Sequence, residues 1–216
     1  MSCSRLLGLG RIVFQKLGHC LIEILLVFLL IGTRVDTLTI SLKGEEKKQE
    51  HSQVRLGPDG KPQKTSLDPP AAPPEREGRL KKRVVEKKTE EYKEYADQIK
   101  ALIQQYVPPE KDLLQKAYQN GTIALEPQPG VPGQFRLVIS NYLKQGDSMT
   151  LVIDKAKKDL ASLSIASYLD DPKDAVNVTV NFDSIPNGPN HVATENIDGV
   201  SKKLNIAIVN SNYQHL

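Results

Sequence analysis

The sequence predicts a mainly β protein with additional helix (α+β): a curved antiparallel sheet or half-barrel of about eight strands, covered by one long helix and a short one. Two observations support this prediction. Residues 80–106 have the one long helical pattern in the chain, and from residue 134 onward short runs of alternating apolar and polar residues are separated by turn residues. No helical stretch lies between these runs, so neighbouring strands are antiparallel, because a parallel crossover needs a dozen or more residues.

The long helix is predicted over Leu80–Tyr106. Its apolar stripe includes Tyr92, Tyr95, Ile99 and Leu102, and the opposite face is Lys, Arg, Glu and Gln, as in a helix that packs on a sheet. A pair of prolines then ends the helical pattern. The same four residues are candidates for lining a ligand cleft, although aromatic and aliphatic residues at helical spacing more often belong to a core.

The regions on either side of this helix divide the chain into four predicted parts. A two-residue period begins at Val35, another strand begins at Val54, and Gly-Pro-Asp-Gly at 57–60 predicts the turn after it. Residues 68–79 contain Pro-Pro-Ala-Ala-Pro-Pro, which is typical of a stiff linker. The predicted organisation is a signal or membrane-anchor segment at 1–33, an N-terminal β-hairpin at 34–67, a linker at 68–79, and the helices and β-meander at 80–216, which pack with the hairpin as one domain.

The region after the long helix predicts one short helix and six strands. Leu113, Leu114, Ala117 and Tyr118 form one helical face, and Asn120-Gly121 is typical of a helix end. A loop at 126–133 follows. The strands are expected at 135–140, 149–154, 163–168, 176–182, 191–197 and 204–208, with turns that include Pro186-Asn187-Gly188 and Asp198-Gly199.

Composition argues against several classes of function. The net charge of +3, from 29 basic and 26 acidic residues, does not indicate a nucleic-acid partner. The chain contains no Gly-rich phosphate loop, zinc spacing or nucleophile elbow, so we expect a non-enzymatic protein without a cofactor. Asp170, Asp171 and Asp174 are the nearest candidates for a metal site or for acid–base chemistry. Asp-Asp-Pro between two strands is, however, common turn chemistry.

The N-terminal segment predicts export or membrane association. Basic residues precede an apolar run that is interrupted by one acid. The run consists of Leu21, Ile22, Glu23, Ile24, Leu25, Leu26, Val27, Phe28, Leu29, Leu30 and Ile31. It is shorter than the roughly 20 apolar residues of a full membrane span, so a cleaved signal, an anchor and a misassigned start all remain open. We expect an extracytoplasmic (periplasmic) protein, since both cysteines, Cys3 and Cys20, lie in this segment and the body has none.

The string Gly18-His19-Cys20-Leu21-Ile22-Glu23 resembles the start of type IV pilins and pseudopilins. That family has a basic leader, a glycine at the cleavage site and an apolar helix with Glu at its fifth position, which would be Glu23 here. The resemblance covers residues 16–32 and implies cleavage after Gly18. It ends where Arg34 and Asp36 interrupt the apolar pattern.

From residue 34 onward the chain resembles a group of uncharacterised exported bacterial proteins, and through them, loosely, the periplasmic lipoprotein-carrier (LolA/LolB-like) fold. The strings that support this are at 42–45, 106–109, 141–147, 167–175 and 210–213. That fold is an incomplete antiparallel barrel whose apolar concave face holds lipoprotein acyl chains. The resemblance implies a non-enzymatic protein that binds lipid or acyl chains in a half-barrel cleft. The alternatives are a pseudopilin-like assembly protein and a protein-interaction module with a filled core, whose protein partner the sequence does not identify.

Overall fold

The computed structural model describes residues 33–57, 62–69, 79–185, 188 and 190–214, with residue 56 and residues 79–86 described by their backbone alone. These ranges contain ten strands and two helices. In chain order they are β1 (Thr33–Leu42), β2 (Glu45–Leu56), β3 (Pro62–Ser66), α1 (Arg79–Ile103), α2 (Lys111–Gln119), β4 (Ile123–Pro127), β5 (Gln134–Ser140), β6 (Ser148–Asp154), β7 (Asp159–Tyr168), β8 (Ala175–Ser184), β9 (Asn190–Gly199) and β10 (Leu204–Gln214).

The ten strands form one open antiparallel sheet. Strands β4 to β10 follow one another as a meander, and β1 pairs with β10, so the full order is β3-β2-β1-β10-β9-β8-β7-β6-β5-β4. The N-terminal strands therefore continue the sheet of the C-terminal meander. The prediction of an antiparallel sheet with a long and a short helix is confirmed.

The predicted number of about eight strands is wrong, because the structure has ten. Strand β4 precedes the first strand predicted for the meander, and β3 forms a separate edge strand beside β2, which itself begins at Glu45 instead of Val54. The first half of β2 is polar on both faces, and β4 ends in Glu126 and Pro127. Polar residues and proline are typical of sheet edges, where they prevent pairing with other chains.

Two turns also differ from the sequence prediction. Lys43 and Gly44 connect β1 to β2 with φ angles of 55° and 82°, the left-handed pair that a two-residue hairpin turn requires. Asp198-Gly199, which was predicted as a turn, instead completes β9, and the turn occupies 200–203. The predicted turn at 186–188 and the linker at 68–79 lie largely outside the described residues.

One face of the sheet, here called the inner face, packs against both helices. Helix α1 contributes Tyr95, Ile99 and Leu102 to a single apolar cluster, and α2 contributes Leu114 and Ala117. The strands contribute Leu137, Ile139, Met149, Leu151, Leu160, Leu163, Ile165, Val176, Val178 and Leu204. The α-helical conformation ends at Ile103 and not at the predicted Tyr106. The backbone N–H groups of Gln105 and Tyr106 donate to the carbonyl three residues earlier, which is the tighter hydrogen bond of a 3₁₀ turn.

Gly199 brings α1 close to the sheet. A Cβ atom at this position would lie 2.5 Å from Cε1 of Tyr95 and 2.9 Å from Cδ1 of Ile99. Real Cβ atoms do not approach other heavy atoms so closely, so any side chain here would displace the helix. The absence of a side chain at the end of β9 therefore sets the position of α1.

The opposite, outer face of the sheet is polar. Its central strands present short uncharged side chains that bond to each other across strands. The Asn181 amide donates to Thr194 Oγ1 at 2.9 Å, and the Asn205 amide donates to Asn196 Oδ1 at 2.9 Å. An apolar inner face and a polar outer face are what alternating strands of an antiparallel sheet produce.

Candidate functional site

Four strand connections meet at one end of the sheet, here called the turn end. They are the turns at Lys43–Gly44, 141–147, 169–174 and 200–203. Because the strands are antiparallel in chain order, alternate connections must lie at the same end. Four of the five strings named in the sequence analysis, at 42–45, 106–109, 141–147 and 167–175, come together here, although they are far apart in the sequence.

A buried polar network joins the chain after α1 to the turn end. The Tyr106 hydroxyl donates to Asp147 Oδ2 at 2.6 Å and lies 2.7 Å from Ser167 Oγ. A phenol has one proton, so the Ser167 hydroxyl donates in turn to Tyr106. The backbone N–H groups of Tyr142, Leu143 and Lys144 donate to the same carboxylate at 2.6–2.9 Å. Asp147 is 2% exposed, and four donors compensate its buried charge.

A Tyr–Asp–Ser cluster has the residue types of a catalytic site, but its geometry is that of a structural anchor. Tyr106 is 0% exposed and Ser167 is 6% exposed, so a substrate has no access to either hydroxyl. Burial, and then the hydrogen bond to Asp147, raise the pKa of Tyr106 above its ordinary value. A phenol that is harder to deprotonate is a poor general base. The cluster therefore fixes the chain after α1 to the β5–β6 turn.

A second group of contacts fixes α1 itself at the turn end. The Tyr95 hydroxyl donates to Asp174 Oδ1 at 2.7 Å and accepts from Ser201 Oγ at 3.1 Å. Lys202 donates to the Glu91 carbonyl at 2.9 Å, and its ammonium lies 5.2 Å from the centre of the Tyr95 ring. These bonds anchor the helix to the β7–β8 and β9–β10 turns.

The four predicted cleft residues occupy different environments. Tyr95, Ile99 and Leu102 are 2%, 1% and 5% exposed and belong to the apolar cluster, while Tyr92 is half-buried beside Lys202. The structure thus brings three of the four together inside the packed core between α1 and the sheet.

The three predicted acidic residues form a turn. The Asp171 carboxylate accepts the backbone N–H of Lys173 at 2.8 Å, Asp174 accepts from Tyr95, and Asp170 is exposed. Within the described ranges, no group of three or more His, Cys, Asp or Glu side chains is placed to hold a metal ion.

The inner face of the sheet extends beyond the part that packs against α1. Leu38 pairs with Ile208, and Ile40 pairs with Ile206, on neighbouring strands β1 and β10. All four side chains are half-buried. These four residues are here called the open strip. Leu38 lies four residues from the turn end, which is about 14 Å along a strand.

Charged side chains follow the open strip along the same face of β1. Asp36 comes two residues before Leu38, and its side chain is 4% exposed. Arg34 Nε donates to Asp36 Oδ1 at 2.7 Å, and Lys64 Nζ lies 3.2 Å from Asp36 Oδ2. Glu195 is close to these groups. The pKa of Glu195 is raised above its ordinary value, chiefly by burial and less by the Asp36 carboxylate. The nearby Arg34 and Lys64 act in the opposite direction.

A cavity of about 420 Å³ opens where β1 begins and β10 ends, and the lining residues Val35, Gln53 and Gln214 belong to the outer face of the sheet. Arg34, Gln53, Tyr213 and Gln214 are among its lining residues. A bulge at the end of β10, where Asn212 has a φ of 52°, interrupts the regular pairing with β1. The volume lies within the range of small-molecule sites, which is about 300–1,000 Å³.

The sequence predictions missed both the charged cluster and the cavity. The sequence does contain one signal for them. Asp36 and Glu195 both lie at inward positions, each two residues before an inward apolar residue, which is Leu38 on β1 and Ile197 on β9. A charged residue at an inward position of an alternating strand is an exception to the pattern and needs a polar partner.

Comparison of the chain with protein-family models, with curated proteins and with solved structures found no significant match. Among the described residues, no helix is long and apolar enough to span a membrane. The predicted membrane segment, residues 21–31, lies outside the described residues.

Proposed function

We propose that this protein is a non-enzymatic binding protein for an amphipathic ligand, with an apolar chain on the open strip and a polar group at the charged end of the same face. The observation that supports the proposal is the order of inward side chains along β1. From the turn end outward they are Leu42, Ile40, Leu38, Asp36 and Arg34, so one face of one strand changes from apolar to charged.

The dimensions of this face suit a lipid or a single acyl chain. Ile40 and Arg34 are six positions apart, which corresponds to about 20 Å of extended strand. The two aliphatic pairs of β1 and β10, at Ile40 and Leu38, occupy about 7 Å of this length and remain partly accessible, and charged side chains occupy the rest. Burying such surface under an acyl chain is favourable by about 25 cal/mol per Å².

This proposal places the ligand away from the predicted cleft residues. Tyr95, Ile99 and Leu102 already fill the space between α1 and the sheet, as expected for an interaction module with a filled core. The strip at Leu38 and Ile208 is the part of the inner face where an acyl chain could replace water. An open ten-stranded sheet with two helices on one face also agrees with the half-barrel that the sequence resemblance implies.

Binding of decanol, a neutral amphiphile, would test the proposal. At about a hundred times its Kd, a ligand raises the free energy of unfolding by roughly 2.7 kcal/mol through mass action, which thermal unfolding would detect. We expect Leu38→Gln to abolish this stabilisation, because it places an amide in the centre of the strip.

The matched control is Thr37→Gln, the same replacement on the outer face of the same strand. This variant should bind decanol as the wild type does. If decanol stabilises neither the wild type nor the control, or stabilises all three proteins equally, the open strip is not a binding site.

We further propose that the protein acts outside the cytoplasm, on the basis of its cysteine-free body and the basic and apolar N-terminal segment. A reporter enzyme fused after Leu216 should be active only in the extracytoplasmic compartment. Activity in the cytoplasm would contradict this localisation.

A further inference from the structure

We propose that Glu195 selects the head group of the ligand, and that this head group is neutral and carries a hydroxyl, as in a fatty alcohol or a glycerol ester. This inference rests on the proposed function and adds the chemical class of the head group. Three observations support it: the position of Glu195 beside the open strip, the acceptor atoms that lack a donor there, and the balance of charge around them.

Glu195 faces inward at the edge of the open strip. It is the cross-strand partner of Ile208 on β10 and of Val180 on β8, so its carboxyl group lies in a row of aliphatic side chains. Asn210 follows Ile208 by two residues on the same face of β10, opposite the buried Asp36. Glu195 and Asn210 are therefore diagonal neighbours, roughly 7–8 Å apart. The head group of a chain on the open strip would lie beside them.

The hydrogen-bonding groups that lack a partner at this place are acceptors. Within the described residues, the Glu195 carboxyl group makes no hydrogen bond and no ion pair. Asn210 donates through Nδ2 to the Val192 carbonyl at 3.0 Å, but its Oδ1 atom is buried without a hydrogen-bond partner. Polar groups withdrawn from water without a partner are costly. A ligand hydroxyl that donates to Glu195 supplies the donor that this end of the strip lacks.

A second glutamate, at the opposite edge of the open strip, has a different environment. Glu50 on β2 is the cross-strand partner of Leu38 and also faces inward. Its carboxylate lies 2.7 Å from the Lys48 ammonium, and its side chain is 43% exposed. The open strip is thus flanked by one carboxylate that has both water and a cation, and by one, Glu195, that is partly buried without a partner. Of the two, Glu195 gains more from a donor on the ligand.

The charges around Glu195 favour a neutral head group. Arg34 and Lys64 lie near it, and both are paired with Asp36. These two cations and two carboxylates cancel when Glu195 is ionised. An ammonium head group would be repelled by the two cations, and a carboxylate or phosphate would be repelled by Glu195 itself. A hydroxyl avoids both repulsions and still donates to the carboxyl group.

The experiment compares four probes with the same apolar chain: octanol, octyl methyl ether, octanoate and octylammonium. The ether has an acceptor oxygen but no donor. Kd values are measured by calorimetry, below the solubility limit or the micelle concentration, for the wild type, Glu195→Leu, Glu195→Gln and Glu50→Leu. The last variant is the matched control, because it makes the same change on the same face at the other edge of the strip. Circular dichroism checks that each variant is folded.

We expect octanol to bind the wild type and Glu50→Leu on the order of tenfold more tightly than the ether does, because the ether leaves the Glu195 carboxyl group without a donor. Glu195→Leu should bind octanol and the ether equally. Glu195→Gln, which keeps an acceptor oxygen at the same place, should retain the preference for octanol. Octanoate and octylammonium should bind more weakly than octanol. Glycerol alone should not compete with octanol, and competition would identify a site for free polyols instead of lipids.

The failure of this inference can be distinguished from the failure of the proposed function. If the wild type binds octanol and the ether equally, or if Glu195→Leu retains the preference for octanol, Glu195 does not select a hydroxyl, and the proposed function stands. Tightest binding of octylammonium or octanoate would contradict a neutral head group. If none of the four probes binds, the proposed function is wrong as well.

Discussion

Replacing Asp147 by asparagine should destabilise the fold far more than an isosteric change usually does. The carboxylate accepts four hydrogen bonds at 2% exposure, one on Oδ1 from Tyr142 and three on Oδ2 from Leu143, Lys144 and Tyr106. An amide has one oxygen and one NH₂ group. In its better orientation the oxygen keeps the three donors at the Oδ2 position, and the NH₂ group then opposes the N–H of Tyr142.

The cost follows from these contacts. The loss of one charge-assisted hydrogen bond costs about 1.5–3 kcal/mol, and a buried N–H without an acceptor adds about 1–3 kcal/mol. The three remaining bonds are also weaker, because their acceptor is now neutral. We expect a total loss of about 3–5 kcal/mol. For a domain of this size each kcal/mol lowers Tm by roughly 2–4 °C, so Tm should fall by roughly 6–20 °C.

Urea unfolding followed by circular dichroism would measure this loss, with Asp170→Asn as the control. Asp170 lies at the same end of the sheet, is exposed and loses the same charge, so its effect should stay within about 0.5 kcal/mol. A loss below about 1 kcal/mol for Asp147→Asn would refute the assignment of this network as the anchor between the chain after α1 and the β5–β6 turn.

Two further predictions concern the inner face. Gly199→Ala should cost about 1–3 kcal/mol in urea unfolding, because the new Cβ would overlap Tyr95 and Ile99; an unchanged midpoint would mean that α1 does not rest on β9. Burial raises the pKa of Tyr213 to about 12, whereas an unfolded tyrosine titrates near about 10. The stability that this shift contributes is complete below about pH 10 and is lost as the pH rises towards about 12. Tyr213→Phe should therefore show a smaller loss of unfolding free energy across this window, and an equal slope for both proteins would contradict the burial of the phenol.

Local periodicity determined much of the fold. Six C-terminal strands, the two helices and the apolar residues of the inner face could be predicted, because the alternation of side chains in a strand and the 3.6-residue period of a helix are properties of neighbouring residues. The burial of Tyr95, Ile99 and Leu102 follows from the same stripe. The first half of β2 escaped prediction because it is polar on both faces, which is favourable at the edge of a sheet, and the alternation then disappears.

The candidate site depended on contacts that no local pattern contains. Arg34 and Asp36 on β1 meet Lys64 through the neighbouring strands β2 and β3, but they meet Glu195 on β9 only because β1 pairs with β10 and thereby joins the N-terminal strands to the meander. The sequence separation across that pairing is well over a hundred residues, and local periodicity says nothing about which distant strands become neighbours. The sequence by itself therefore determined which side chains face the interior. Only the tertiary structure decided which part of that interior α1 covers, and where the charges of Arg34, Asp36 and Glu195 meet at the end of an apolar strip.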